Sequence, residues 1–148
     1  MIRYFAYGSN LDWAQMRARC PSACPLGRAR LAGHALAFGG HSGHWGGAVA
    51  SVVRARGRAV DGVLYALSEA DLEALDGFEG HPWVYERRTR VVTTEGGARR
   101  RAVVYALRAP GPATRPPAPR YLAVVWRAYE RLRFDPAPLA RAAREASP

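Results

Sequence analysis

The stretch Tyr4-Phe5-Ala6-Tyr7-Gly8-Ser9-Asn10, near the start of the chain, decides how the rest of the sequence is interpreted. It predicts a short aromatic strand, Ile2 to Tyr7, that stops at a glycine and leads into a helix. Gly8 permits a positive φ or a close approach to a ligand, and Ser9 or Asn10 can cap the helix that follows. Unpaired N–H groups at such a turn suit a carboxylate or a developing oxyanion. An ordinary edge strand and turn is the alternative.

Asn10 stands out against the composition of the chain. It is the only asparagine, and every basic residue is an arginine. This composition indicates a coding bias toward arginine, alanine, glycine and proline. An asparagine retained against that bias suggests that its side chain is used.

The length and composition are those of one globular domain. The 148 residues, 49% of them hydrophobic, predict a single domain spanning residues 1–148 with a sizeable core. The sequence contains no apolar run of about 18 residues, so it predicts no membrane helix. Its N-terminus does not match a signal peptide. Two cysteines imply no disulfide framework. We therefore expect a cytoplasmic protein with no membrane partner, while the oligomeric state is left open.

The formal charge of +10 raises the question of nucleic-acid binding. The arginines are scattered along the chain, apart from a cluster at 87–90 and 99–101 that we expect on the solvent face of a hairpin. A bias toward arginine gives the same net charge without any nucleic-acid partner. Nucleic-acid binding is therefore not expected to be the main function.

Hydrophobic patterning and turn signals predict about six strands and a few short helices. The order lacks the regular alternation of a doubly wound sheet, and the mostly antiparallel order of short strands favours a barrel or a strongly curved sheet. The predicted fold is α+β: a small closed mixed β-barrel with short flanking helices. After the first strand, the predicted elements are a helix Leu11–Cys20, strands Arg28–Phe38, Ala48–Arg54 and Val60–Leu67, a helix capped by Ser68 and Gly77, a hairpin of Trp83–Thr94 and Arg99–Arg108, and a helix Tyr121–Phe134.

Three segments are predicted to be irregular. The glycine-rich run 39–47 is expected to be a loop that could lie over a site, although its conformation is left open. The proline-rich run Ala109–Pro119 is expected to be a surface linker. The tail from about Asp135, which contains three prolines, is expected to be flexible.

Glu79 is the acidic residue whose sequence neighbours best suit a catalytic role. It is predicted to follow a helix cap, beside Gly80, and its neighbours include Phe78 and Trp83. A carboxylate among apolar side chains has a raised pKa and can act as a general acid/base near neutral pH. The alternative is a solvated loop carboxylate, and the sequence alone does not exclude it.

Two further constellations are weaker candidates. Cys20, Cys24, His41 and His44 have the residue types of a zinc site, but prolines interrupt the cysteines and the histidines lie among glycines. Neither cysteine has a neighbour that would lower its pKa for nucleophilic attack. A Ser9 nucleophile would need a histidine partner that sequence cannot place. No metal and no cofactor are therefore expected.

Taken together, these stretches resemble the γ-glutamylcyclotransferase family and its γ-glutamylamine cyclotransferase relatives. The similarity rests mainly on YFAYGSNL at the start and on VDGVLYALSEADLEALDGFEG, and more softly on CPSACPLGRARLAGHALAFGG, HWGGAVASVV and PPAPRYLAVVWRAYE. It covers residues 3 to 134, with the motifs in the family's order. The resemblance implies a small closed β-barrel with helices around it.

The resemblance also implies a reaction and a set of site residues. The substrate would be a small γ-glutamyl amide, cyclised to 5-oxoproline with release of an amine or amino acid, as in glutathione metabolism. Glu79 would be the catalytic acid/base. The γ-glutamyl group would be held by Tyr4, Phe5, Ala6, Tyr7, Gly8, Ser9, Asn10 and Tyr121.

The identity of the leaving amine remains open. The chain is short compared with the larger cyclotransferases, so the resemblance does not specify the second half of the substrate. An enzyme that removes the γ-glutamyl group from one biosynthetic intermediate is one alternative, and a non-catalytic small-molecule-binding barrel is another.

Overall fold

A closed mixed barrel organises the protein. The structure is a computed structural model that describes residues 1–109, 111, 113 and 115–146. In these residues, five strands close in the order β1-β3-β2-β4-β5 with four α-helices around them, which confirms the predicted α+β barrel. The strands are β1 Ile2–Ala6, β2 Cys24–Ser42, β3 Gly47–Leu67, β4 Tyr85–Thr94 and β5 Arg99–Leu107. The helices are α1 Trp13–Arg19, α2 Glu69–Glu79, α3 Pro119–Leu132 and α4 Ala137–Glu145.

The barrel closes where its first and last strands meet. β1 runs antiparallel to β3, from Ile2 opposite Leu67 to Ala6 opposite Val63. On its other side, β1 pairs in parallel with β5, with Tyr4 opposite Val103. The end of β1, which carries the glycine-serine-asparagine turn, therefore lies at the seam of the barrel.

The two strands predicted at Ala48–Arg54 and Val60–Leu67 are parts of one long strand, β3. The sequence interruption between them corresponds to a register shift: β2 residue Ala32 pairs with Ala59, whereas His34 pairs with Arg54. The extra residues are accommodated as a bulge, so the strand bends without ending. The described residues therefore contain five strands, close to the six or so predicted.

Residues 39–47, predicted to be a loop, are mostly hairpin. β2 continues to Ser42, and only a tight turn separates it from β3, which begins at Gly47. Gly46 in this turn has a φ of 82° and donates its N–H to the Ser42 carbonyl. A glycine adopts that left-handed conformation without strain, so the run forms the tip of a long β-ribbon.

The capping of α2 is predicted correctly at one end only. Ser68 caps the N-terminus in a full capping box with Asp71. The C-terminal cap is Gly80 instead of Gly77, because Gly80 has the left-handed backbone, with φ 65° and ψ 35°. Glu79 is therefore the last residue of the helix, whereas the sequence placed it in the loop beyond.

The segment after Asp135, predicted to be a flexible tail, contains helix α4. This helix packs on β2, and its side chains Leu139 and Ala142 are buried. The helix forms because its apolar side chains share one face, which is buried. Pro136 and Pro138 lie before and within its first turn, where proline is tolerated. Helix α3 begins at Pro119 instead of Tyr121, and the predicted linker before it lies partly outside the described residues.

Candidate active site

A narrow polar chamber lies at the seam of the barrel, and we call it the inner chamber. The end of β1 and the single 3₁₀ turn Ser9–Leu11 form one wall, while α2, β3, β4, β5 and α3 supply the others. The lining is made almost entirely of tyrosines and residues of the opening motif. These residues are Tyr4, Tyr7, Gly8, Ser9, Asn10, Ala50, Glu79, Tyr85, Tyr105 and Tyr121.

Glu79 brings a carboxyl group into this chamber from the last turn of α2. The residue is half-buried, and its Oε1 lies 3.4 Å from the Asn10 Nδ2. Burial raises the pKa of Glu79 to about 7, and the positive charge of Arg19 opposes this rise in part. A carboxyl group with that pKa exchanges a proton at neutral pH, which is the property required of a general acid/base.

The Asn10 side chain is the hub of the polar contacts around Glu79. Its Nδ2 also donates to the Tyr4 hydroxyl at 3.0 Å. Its Oδ1 accepts from Gln15 Nε2 at 3.0 Å and from Arg19 Nη1 at 3.3 Å. The only asparagine of the chain is therefore buried and bonded through both ends of its amide. It contacts both Glu79 and Tyr4 through the same amide nitrogen.

The tyrosines of the chamber are held by hydrogen bonds to the barrel backbone. The Tyr7 hydroxyl donates to the Tyr105 carbonyl, and the Tyr85 hydroxyl donates to the Ala50 carbonyl, each at 2.6 Å. The Tyr121 hydroxyl accepts from the Ala50 N–H at 2.9 Å. These contacts fix the rings in place before any ligand arrives.

The ionisation of the tyrosines is suppressed by their surroundings. Burial is the main cause that raises the pKa of Tyr4, Tyr7 and Tyr121, and the nearby Glu79 carboxylate raises them further. At neutral pH the rings are therefore uncharged hydrogen-bonding groups. Among the residues that the structure describes, Glu79 is the only acidic one in the lining of the chamber.

Tyr105 connects the chamber to the body of α2. Its hydroxyl donates to Asp76 Oδ1 at 2.6 Å, and the same carboxylate pairs with Arg87 at 3.1 Å. Asp76 lies one turn before Glu79 on the helix. This contact ties the C-terminal part of α2 to the barrel and so fixes the position of Glu79.

Gly8 lines the chamber beside Ala50 and Tyr121. A Cβ at this position would lie 3.4 Å from the Ala50 Cβ and 3.5 Å from the Tyr121 hydroxyl, within the space that the chamber occupies. In the described residues, the backbone N–H groups of Gly8 and Ser9 have no acceptor. Two unpaired donors beside a carboxyl group can bind an anionic oxygen.

A wider cleft of about 570 Å³ opens from the inner chamber, and we call it the outer cleft. The two spaces share the lining residues Ser9, Glu79, Tyr85 and Tyr121. The tip of the β2–β3 ribbon, residues 40–45, forms one side of the outer cleft. The sequence expectation that the 39–47 run could lie over a site fits this position.

Six of the eight residues predicted to bind substrate line the inner chamber, together with Glu79. Phe5 and Ala6 do not: both are fully buried, and in the described part of the chain they line neither space. The Phe5 ring packs on Gly62, where a Cβ would come within 2.5 Å of Cζ. These two residues can shape the site only through the strand that carries them.

Sequence reasoning missed several residues that build the site. Tyr85, Tyr105 and Ala50 lie within predicted strands, and strand pattern alone does not show which inward-facing residues reach a cavity. Arg19 and Gln15 lie on α1 and reach Asn10. Gln15 and Arg19 follow Asn10 by 5 and 9 residues, so they lie on the helical turns just after it. This spacing is the only sequence signal that could have predicted their contact with Asn10.

Other sequence features lie elsewhere. Cys20 is buried with its thiol 3.4 Å from the Asp71 carbonyl, while Cys24 is exposed. No three metal-ligating side chains come together in the described residues. In the same residues, every helix is too short or too polar to span a membrane. A separate cavity of about 510 Å³ is lined by Arg28, Asp61 and Phe134 among others, and in the described part of the chain it shares no lining residue with the site.

Residues 4–128 match the family described as gamma-glutamyl cyclotransferase, AIG2-like. Because the match covers most of the chain, this protein belongs to that family, which confirms the resemblance drawn from the sequence.

Among individual relatives, the gamma-glutamylcyclotransferase of Homo sapiens is 38% identical over 81 residues, which are 52% of this chain and 43% of that protein. The Bos taurus protein of the same name gives the same figures. The aligned region therefore spans less than half the length of these relatives. A solved structure named gamma-glutamyl cyclotransferase superposes with a TM-score of 0.81 at 28% identity, covering 97% of this chain and 85% of that one. YkqA from Bacillus subtilis, at 24% identity and a TM-score of 0.78, shares the fold over 98% of this chain and 54% of its own.

Proposed function

We propose that this protein is a γ-glutamyl cyclotransferase. The α-amino nitrogen of a γ-glutamyl amide attacks its own side-chain carbonyl carbon, a new C–N bond closes the five-membered ring, and the original amide C–N bond breaks. The products are 5-oxoproline and a free amine or amino acid. The observation that carries this proposal is the Glu79 carboxyl group, with a pKa of about 7, in a chamber lined by neutral tyrosines.

The reaction requires two proton transfers at neighbouring nitrogen atoms. The substrate α-ammonium must lose a proton before it can attack, and the leaving nitrogen must gain one before it can depart. Glu79, ionised in part of the molecules at neutral pH, accepts the first proton and returns it as the second. A single carboxyl group suffices because both nitrogens belong to one folded substrate.

The inner chamber supplies the geometry. Because the reaction is intramolecular, the main task of the protein is to hold the γ-glutamyl group in a folded conformation. Tyr4, Tyr7 and Tyr121 surround this group. The N–H groups of Gly8 and Ser9, which have no acceptor in the described residues, bind the oxyanion that forms during the reaction. Asn10, which also lines the chamber, keeps Glu79 in position. The cytoplasmic location expected from the sequence is part of this proposal.

Two alternatives make different predictions. An enzyme that serves one biosynthetic intermediate would use the same chemistry on a single donor. A non-catalytic barrel would bind γ-glutamyl compounds without turnover. The protonatable carboxyl group beside two unpaired N–H donors favours catalysis, because binding alone would not require a group that titrates near neutral pH.

The test is a product assay with a panel of substrates. The protein is incubated with γ-glutamyl amino acids, γ-glutamyl amines and glutathione, and 5-oxoproline, glutamate and the freed amine are measured. We expect 5-oxoproline and amine in equal amounts. Release of free glutamate would show hydrolysis and contradict the proposal, and turnover of a single donor would support the biosynthetic alternative. Binding without any product would support the non-catalytic barrel.

A further inference from the structure

The only two side-chain amides of the chain are hydrogen-bonded to each other. Asn10 is the single asparagine and Gln15 the single glutamine of the sequence. The Gln15 Nε2 donates to the Asn10 Oδ1 at 3.0 Å, and the other end of the same Asn10 amide contacts Glu79. In a chain whose composition is biased toward other residues, two retained amides that meet beside this carboxyl group indicate a shared task.

Helix capping alone does not account for the side chain of Gln15. Its backbone N–H, in the first turn of α1, donates to the Asp12 carboxylate at 3.2 Å, which caps the helix. A glutamine at this place ordinarily returns its side chain to the backbone N–H of the cap residue. Here the Asp12 N–H donates to the Ser9 carbonyl at 3.0 Å, and the Gln15 amide extends past it to Ser9 and Asn10.

Donors on α1 decide which way the Asn10 amide faces. The Arg19 guanidinium has only donors, and its Nη1 lies 3.3 Å from Asn10 Oδ1, where Gln15 supplies a second donor. The Nδ2 therefore faces the other side, toward Glu79 Oε1 at 3.4 Å and the Tyr4 hydroxyl at 3.0 Å. A reversed amide would turn its own N–H groups toward two donors and its oxygen toward the carboxylate.

The second hydrogen bond of Gln15 holds the turn that carries the unpaired backbone donors. Its Nε2 donates to Ser9 Oγ at 2.8 Å, and Ser9 lines both the inner chamber and the outer cleft. A fixed Ser9 side chain restricts the peptide unit between Gly8 and Ser9. In the part of the chain that the structure describes, Gln15 itself lines neither space. Any influence of Gln15 on the reaction therefore passes through Ser9 and Asn10.

We propose that Gln15 is a positioning residue for the cyclisation: it holds Asn10 in the orientation that donates to Glu79, and it holds Ser9 in the turn that binds the oxyanion. This inference rests on the proposed cyclotransferase function. Both hydrogen bonds act on the part of the site that receives the γ-glutamyl group. Loss of Gln15 should therefore slow the reaction to the same extent for every leaving group.

Gln15→Met removes both side-chain donors at similar length. We expect kcat for 5-oxoproline release to fall about 5- to 100-fold, the combined size of two neutral hydrogen bonds. KM should change by less than about threefold, because the alignment matters in the transition state. Gln15→Lys keeps N–H donors for the same two oxygens and should recover most of the loss. Ala14→Met, at an exposed position of α1, is the matched control and should keep the wild-type kcat.

Nuclear magnetic resonance supplies a measurement that needs no turnover. With one asparagine and one glutamine, the wild-type chain gives only two pairs of side-chain amide NH2 signals, and Gln15→Met assigns them. The Asn10 pair should shift between pH 5 and pH 9, because burial raises the pKa of Glu79 to about 7 and Asn10 donates to that carboxyl group. This response should fall by about half or more in Gln15→Met and remain in Ala14→Met.

Glu79→Gln shows whether the response belongs to the carboxyl group. The other charged and titratable groups near it are Arg19 of α1, the tyrosines of the inner chamber, and His41 and His44 across the outer cleft. In Glu79→Gln the shift of the Asn10 pair should vanish. A shift that persisted would come from one of the other groups and would overturn the contact on which this inference rests.

The two measurements together separate positioning from a merely structural role. A lower kcat with a weakened Asn10 response would support the inference. A lower melting temperature with wild-type kcat, or a lower kcat with an unchanged Asn10 response, would overturn it. If Gln15→Met did not fold, Gln15→Ala would replace it, since alanine is the best helix former. If no γ-glutamyl compound gave 5-oxoproline, the proposed function would fail, and the Asn10 response alone would decide whether Gln15 positions that amide.

Discussion

The inner chamber and the outer cleft differ in how their polar groups are satisfied. In the chamber, the hydroxyls of Tyr7, Tyr85 and Tyr121 bond to the barrel backbone. In the cleft, a guanidinium lacks a carboxylate within the described residues, and large apolar side chains remain exposed. A chamber fixed in this way suits a constant group, the γ-glutamyl moiety, and an open cleft suits a group that varies between substrates. Substitutions in the chamber should therefore change the rate for all substrates, and substitutions in the cleft should change their ranking.

The largest expected effect is that of Glu79→Gln on turnover. Glutamine has nearly the same shape and keeps an oxygen for hydrogen bonding, but it cannot accept and return a proton. We expect kcat to fall by about 10²–10⁴ for every substrate, with binding retained. The measurement is 5-oxoproline release over a range of pH, where the limb set by this carboxyl group should vanish.

Glu73→Gln is the matched control for that variant, because Glu73 lies exposed on the same helix. It should behave as the wild-type protein does. If Glu79→Gln kept most of the activity while Glu73→Gln behaved identically, the acid/base role of Glu79 would be wrong.

The second prediction concerns stability and the raised pKa of Glu79. Because the folded pKa of about 7 lies above the ordinary value of 4.5, the folded state binds more protons than the unfolded state between these two pH values. The corresponding stability is present in full below about pH 4.5 and is lost as the pH rises through 7. This dependence amounts to at most about 3 kcal/mol in the free energy of unfolding.

Urea denaturation of the wild-type protein and Glu79→Gln from pH 4 to pH 9 measures this dependence. The variant lacks the titrating group, so it should gain stability relative to the wild type as the pH rises through 7. Parallel curves for the two proteins would mean that burial does not perturb this carboxyl group.

Tyr121→Phe should have a smaller effect, which divides between binding and folding. The hydroxyl accepts the Ala50 N–H, so its removal leaves a buried donor unpaired and should cost about 1–3 kcal/mol of stability. Substrate binding should weaken by about 0.5–1.5 kcal/mol if one neutral hydrogen bond to the γ-glutamyl group is lost. Tyr129→Phe, on the same helix and outside both spaces, is the control. An unchanged KM in Tyr121→Phe would remove this residue from the substrate contacts.

The smallest expected effect is that of the cysteines. The proposed reaction uses neither thiol nor metal, so the double variant Cys20→Ser/Cys24→Ser should retain 5-oxoproline release. A serine at position 20 can still donate to the Asp71 carbonyl that the thiol contacts. A chelator should leave the activity unchanged. Stoichiometric zinc in the purified protein, or loss of activity on chelation, would contradict this prediction.

The local parts of the structure could be read from the sequence more readily than the non-local ones. The aromatic strand before Gly8 and the capping box at Ser68 are set by residues close together in the chain. The single long strand β3 was divided in two, because residues 55–58 bulge out between the paired residues Arg54 and Ala59, and the sequence does not reveal that register. The buried α4 was missed because its prolines hid an apolar face that matters only once β2 is present.

The site shows the same difference between residues that local motifs predict and residues that only long-range packing brings together. Glu79 and most of the opening motif, which line the inner chamber, were predicted as site residues from motifs that resemble those of the family. Tyr85 and Tyr105 of the inner chamber and Arg19 of the outer cleft were not identified, since only the closed barrel brings them to these two adjoining spaces. The C-terminal cap of α2 shows why a local motif can still mislead. Both Gly77 and Gly80 could have ended the helix, and only Gly80 has the left-handed backbone of the cap. That choice moved Glu79 from an expected loop onto a rigid helix end.

The seam of the barrel makes the site dependent on the two ends of the sheet. Tyr4 of β1 meets Val103 of β5 in the parallel pairing that closes the barrel, and the inner chamber lies against this pairing. Pairing two strands that lie so far apart in the sequence costs loop-closure entropy and slows folding. No fragment that lacks either strand can hold Glu79 against the opening motif. The proposed activity would therefore report that the first and last strands of the barrel have paired.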